Sequence, residues 1–176
     1  MMKNTKSKIP AFTLVEVLII VVILGILATI IIPLYEDGYR KATESAAKEN
    51  LRVLRNAIEL YTAQHKGVPP GYANGNTSAT PDAIIFMNQL IFATNSSGQC
   101  STSSANTPDY PLGPYLPSVV YNPFNGKWNP KFLAAGEAFP ALAPAGNYGF
   151  IYSPSMKKIK LNSGGQDSKG LFRYAY

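Results

Sequence analysis

The stretch from Phe12 to Tyr35, FTLVEVLIIVVILGILATIIIPLY, constrains this chain more than any other. One carboxylate, Glu16, lies near its start, and Val17 to Tyr35 carry no charge. An apolar run of roughly 18 or more residues is too long for an ordinary core helix and reads as a membrane span. Lys3, Lys6 and Lys8 precede it, with no acidic residue among them. Basic residues mark the cytoplasmic side of a span, so residues 1–11 are expected inside and residues 36–176 outside. A cleaved secretory signal is a poor description. Such a signal has an apolar core of about 7–15 residues and a small-residue exit, whereas Ile30-Ile31-Ile32-Pro33-Leu34-Tyr35 offers none.

A carboxylate within this run needs a partner, because at a bilayer centre it costs about 2.5–3.5 kcal/mol on insertion scales. The simpler alternative is that Glu16 sits near the helix end and reaches the headgroups. Gly25 and Pro33 interrupt the apolar helix, and a proline removes one hydrogen bond and bends the axis. Both are candidate kink positions.

The run KIPAFTLVEVLIIVVILGILATIIIP resembles the N-terminus of type IV pilin-like proteins. The resemblance implies a cytoplasmic leader, residues 1–11, cut between Ala11 and Phe12 by a prepilin peptidase. The same enzyme would methylate the new N-terminal amine of Phe12. Glu16 then becomes the fifth residue of the cut chain, placed to neutralise that amine on a neighbouring subunit during filament assembly. The family usually has glycine before the cut, and this chain has Ala11. A proline at the distance of Pro33 is common in the family, where the helix can bend or melt.

Beyond the span (12–35), a helical stalk is expected over 36–66. Ala47, Leu51, Leu54, Ile58 and Tyr61 fall on one stripe at helical spacing. Lys48, Arg52, Arg55 and Glu59 lie on other faces as a solvated surface, and Glu44 and Lys48 are spaced as an i,i+4 pair. Gly67 and Pro69-Pro70-Gly71 end the helix. A helix from Phe12 to Lys66 would measure roughly 80 Å at 1.5 Å per residue, too long to hide in a domain of this size.

After residue 66 the composition turns to Gly, Pro, Ser, Asn and Tyr, as in a loop-rich exported domain. Thr80-Pro81-Asp82 predicts the start of a short helix over 81–93, with Thr80 as N-cap. Its apolar stripe is Ile84, Met87 and Ile91, widened by Phe86, Leu90 and Ala93. Residues 94–107 read as a polar, mobile loop holding Cys100, an incidental thiol or the seat of an intermolecular disulfide. Asn125-Gly126 is a turn signal between Val119-Val120-Tyr121 and Lys127-Trp128. Tyr148–Tyr152 and Lys158–Leu161 predict two strands, and Leu171–Tyr174 a third. The fold class is therefore α+β: a long N-terminal helix packed on a small C-terminal antiparallel sheet within an outer domain, 67–176.

The layout, with GPYLP and NPFNGK, resembles the major pseudopilin of type II secretion and its relatives. That resemblance implies a calcium site in a C-terminal loop. Here the loop is Asn162–Ser168, and its one carboxylate is Asp167. Calcium takes six to eight oxygens, usually with several carboxylates, so a solvated loop without a cofactor is the expectation.

The function classes narrow accordingly. A single Cys100 excludes an intrachain disulfide and a cysteine-built zinc cage, and a lone His65 offers little acid–base or metal chemistry. No nucleophile–base pair or phosphate loop appears, so no enzyme is expected. Of the net charge of +6, the three leader lysines supply half, so nucleic-acid binding is not demanded. The eleven tyrosines and Lys157, Lys158, Lys160, Lys169 and Arg173 could serve a single-stranded nucleic acid, but they read more simply as sheet-face aromatics and solvated lysines.

The expected role is structural. The chain would be a subunit in the inner membrane, crossing once with its N-terminus inside, that polymerises with itself or with minor pseudopilins. Its other partners would be the prepilin peptidase/N-methyltransferase and an inner-membrane assembly platform. The filament would be the pseudopilus of type II secretion. The alternative is a type IV pilin, or a minor tip subunit for adhesion or DNA uptake.

Overall fold

A computed structural model of the chain describes residues 13–144 and 146–176, with the backbone alone at Pro33 and Leu34. The leader, Ala11 and Phe12 lie outside the described residues, so the cut and the methylated position remain expectations from sequence. The first element, α1, is one helix from Leu14 to Gln64. It continues through Gly25 and Pro33, so neither residue ends it. The chain divides into two compact units, one ending at Arg40 and one running from Lys41 to Tyr176.

Within the second unit, the predicted stripe is the core-facing side of α1. Ala47, Leu51, Leu54, Ile58 and Tyr61 are all buried. They pack in one cluster with Phe86, Met87 and Leu90 of the second helix and with Phe150, Tyr152, Ile159 and Leu161 of the sheet. Past Gln64 the backbone of Lys66 and Gly67 turns left-handed, and the Gly67 amide returns to the Thr62 carbonyl at 2.9 Å. This left-handed closure satisfies carbonyls that the helix end would otherwise orphan.

Helix α2 runs from Ala83 to Ile91. Its cap is Asp82 rather than Thr80: the Asp82 carboxylate accepts from the amides of Ile84 and Ile85 at 2.8 and 3.0 Å. The buried face is Phe86, Met87, Gln89 and Leu90, while Ile84 is exposed and Ile91 only half-buried. Gln89 is the polar member of that face, and it serves the loops, accepting from Gly71 and donating to Tyr72 and Gly98 carbonyls.

The sheet has three strands, β1 (Pro130–Phe132), β2 (Phe150–Ser153) and β3 (Lys158–Leu161), in that spatial order. The β2–β3 hairpin is antiparallel as expected, with Phe150 opposite Leu161 and Ser153 opposite Lys158. The β1–β2 pair is parallel, so the sheet is mixed rather than all antiparallel. A parallel pair needs a crossover connection, and residues 133–149 provide it. β2 is buried on both faces. Phe150 and Tyr152 face the α1 cluster, and Ile151 enters a second cluster with Leu133 and Tyr174. Alternate residues of a strand point to opposite faces, which is why this short segment is apolar throughout.

Two predicted strand regions take other forms. Val119–Tyr121 and Lys127–Trp128 are irregular, because the Asn125-Gly126 turn closes a tight loop on Asn122 instead of a hairpin. The Asn122 amide donates to the Lys127 carbonyl at 2.8 Å, and the Gly126 amide donates back to Asn122. The buried Asn122 side chain then donates to the Gly149 and Asn162 carbonyls, tying NPFNGK to the start of β2. The C-terminal segment forms a single 3-10 turn, Arg173–Ala175, with an isolated bridge between Gln166 and Phe172, not a fourth strand.

Candidate functional site: an apolar helix with one carboxylate

The N-terminal part of α1 begins with a cap written into its sequence. Thr13-Leu14-Val15-Glu16 has the spacing of a capping box. The Thr13 hydroxyl oxygen accepts from the Glu16 amide at 3.2 Å, and the Thr13 carbonyl accepts from Val17 at 3.3 Å. Glu16 also places an anion in the first turn, where the helix dipole favours it. The threonine and glutamate of the F-T-L-V-E run therefore help start the helix, a role that the resemblance alone does not suggest. Among the described residues, the Glu16 carboxylate has no cationic partner. The Phe12 amine assigned to it lies outside them.

From Leu14 to Ile32, every large apolar side chain is exposed, by 45% or more of its surface. α1 is long and apolar enough here to cross a membrane. Its one hydroxyl beyond the cap, on Thr29, donates to the Ile26 carbonyl at 2.7 Å, so it needs no solvent. The apolar side chains give way to Tyr35, Glu36, Asp37, Tyr39, Arg40 and Lys41. Tyr35 and Tyr39 are exposed, and Asp37 pairs with Arg40 at 3.1 Å. Tyrosines and mixed charges at the end of an apolar run are the pattern of a membrane–water boundary.

A family model described as the prokaryotic N-terminal methylation motif matches residues 6–32. The start of this chain is a prepilin-type methylation motif. The chain is also similar to several curated proteins over 58–76 residues. Type II secretion system core protein G of Aeromonas hydrophila is 34% identical over 64 residues, covering 36% of this chain and 45% of that protein. Fimbrial protein EcpB of Eikenella corrodens is 41% identical over 58 residues, 33% of this chain and 36% of that protein. The type IV narrow pilus major component PilA5 of Thermus thermophilus is 36% identical over 58 residues, 33% of this chain and 50% of that protein. The chain thus spans half or less of the length of these relatives. No solved structure matches the chain. With the motif at its head, the long helix followed by a small sheet is a pilin-like α+β fold.

The outer-domain candidates are embedded in the fold. His65 is buried and stacked on Tyr61, with ring centroids 3.8 Å apart. Its Nδ1–H donates to the Tyr61 carbonyl at 2.8 Å, which leaves Nε2 to accept from the Thr94 hydroxyl at 3.1 Å. Burial lowers its pKa against the opposing pull of the Tyr61 and Asn95 carbonyls. Cys100 is half-buried, and burial pushes its thiol up to about 11, so it is no thiolate at neutral pH. Its loop is tied by backbone bonds from Ser101 to Ala93 and from Thr94 to Leu112.

Asp167 is also buried, and its loop is not simply solvated. Oδ1 accepts from the amides of Lys169 and Leu171 at 2.8 and 2.9 Å. Oδ2 accepts from the Tyr176 hydroxyl at 2.8 Å and from Lys48 Nζ at 3.2 Å. Burial opposes ionisation here, but the bonds from Tyr176, Leu171, Lys169 and Lys48 outweigh it and hold the carboxyl well below its usual range. Lys48 and Arg55, expected to be solvated, both reach the C-terminal region. Arg55 donates to the carbonyls of Ile159 and Tyr176. These residues do not fit a calcium ion. A carboxylate offers about four lone-pair sites; at Asp167 all four have protein donors, one of them a cation. Among the described residues, no group of three or more Asp, Glu, His or Cys is placed to hold a metal.

Proposed function

We propose that this chain is a structural subunit of a pilus-like filament, stored in the inner membrane and assembled from it. The observation that carries this reading is a methylation motif continuous with the first part of α1, residues 14–32, whose large apolar side chains all lie exposed. A prepilin peptidase would cut between Ala11 and Phe12 and methylate Phe12. The basic leader sets the orientation, with the N-terminus inside and residues 36–176 outside. In the filament, apolar helices of neighbouring subunits replace lipid around residues 14–32. Glu16 would then meet the cationic Phe12 amine of an adjacent copy. The role is mechanical rather than catalytic.

The filament we favour is the pseudopilus of type II secretion, built with minor pseudopilins on an inner-membrane platform and driving protein export. The GPYLP and NPFNGK segments and the β2–β3 hairpin support it. The second reading is a type IV pilus, favoured by the similarity to EcpB and PilA5. The test of the filament itself is a Glu16→Val variant, co-expressed with a prepilin peptidase and an assembly platform. It should be cut normally and yield few sheared filaments. Normal filament yield would remove the charge-pairing role.

A further inference from the structure

The corner where the C-terminal loop meets α1 holds two buried carboxylates, and its chemistry is independent of the filament reading. Glu44 and Lys48 sit one turn apart on α1. Glu44 is 4% exposed, and its two oxygens accept from the Ser168 amide and hydroxyl at 2.9 and 2.7 Å. Asp167, the residue just before Ser168, is 6% exposed. Two anions brought out of water beside each other require a counter-charge. Lys48 supplies it: Nζ lies 3.2 Å from Asp167 Oδ2 and 4.3 Å from the centroid of the Tyr176 ring.

We propose that the Lys48 ammonium is the resident cation of this corner, so that the C-terminal loop closes on the stalk helix without a divalent metal. The geometry favours an internal cation in three ways. The ammonium is tethered on α1, one turn from Glu44. Its side chain stays 46% exposed, so it gains an ion pair without being stripped of water. The Tyr176 ring gives its charge a second, aromatic contact. The same residue closes the loop from the other end: its hydroxyl donates to Asp167 while its carbonyl accepts from Arg55. A divalent ion would have to displace a tethered cation and compete for oxygens that already accept from protein donors.

The test is thermal unfolding of the full chain in detergent micelles, with calcium chloride or with a chelator, for the natural protein, Lys48→Met and Lys48→Arg. Methionine keeps the apolar stem over Tyr176 and removes only the charge. The natural protein should unfold at the same midpoint in calcium and in chelator. Lys48→Met should fall by about 2–4 °C or more in both, and its cleavage by trypsin after Lys169 should quicken. Lys48→Arg should keep most of the midpoint. A midpoint of the natural protein that rises in calcium would overturn the proposal, and so would a Lys48→Met midpoint equal to the natural one. The first comparison needs no variant, so a misfolded Lys48→Met leaves the proposal open to refutation.

Discussion

Gly149 is fixed by the closeness of another backbone. A Cβ placed on it would lie 2.1 Å from the Lys127 carbonyl oxygen, which belongs to rigid chain rather than to a movable side-chain tip. Its own amide and carbonyl are bonded to Asn129 and to Asn122 and Asn162, so the backbone cannot step aside. Gly149→Ala should therefore destabilise the chain by at least the ~1–3 kcal/mol typical of overpacking, read as a lower denaturant midpoint. His65 gives a prediction in pH. The fold keeps its imidazole neutral, whereas the unfolded residue titrates near 6.5. Below that pH the unfolded chain binds a proton that the fold resists, so stability is full above 6.5 and is lost as pH falls toward the lower folded-state value. Denaturation midpoints between pH 7.5 and 5 should show this slope, and His65→Gln should flatten it.

At the scale of elements, α2 tests how a start signal is read. Asp82 alone holds the amides of Ile84 and Ile85, so Asp82→Ala should cost about 0.5–2 kcal/mol by chemical denaturation. Thr80→Ala, two residues earlier, should cost little. The difference illustrates what sequence can and cannot specify. The stripe from Ala47 to Tyr61 was legible because helical periodicity is local and repeats four times. The β2–β3 hairpin was legible because its turn lies between its strands. β1 was not: three residues carry too little pattern, and its partner starts twenty positions later in a parallel register. The Lys48–Asp167 and Arg55–Tyr176 contacts span 119 and 121 residues, and no spacing rule reaches that far. Solvation was the natural reading for those two cations on helix spacing alone, because their partners belong to a loop whose path is set by the rest of the domain.

For the molecule as a whole, the two compact units answer to different surroundings. Residues 41–176 have their own core, organised around the α1 stripe and the two-faced strand β2. The apolar residues from Leu14 to Ile32 have no such core and must find lipid or other helices. In the proposed role, the methylation motif at the head of that helix would join the two states, membrane and filament, through one processing event. That event is directly measurable. The chain should be co-expressed with a prepilin peptidase, and its N-terminus determined by mass spectrometry. The mature protein should begin at an N-methylated Phe12, with residues 1–11 removed. A chain still beginning at Met1, or one cut after Ala28 as an ordinary secretory signal would be, would show that the long helix is not a processed filament core.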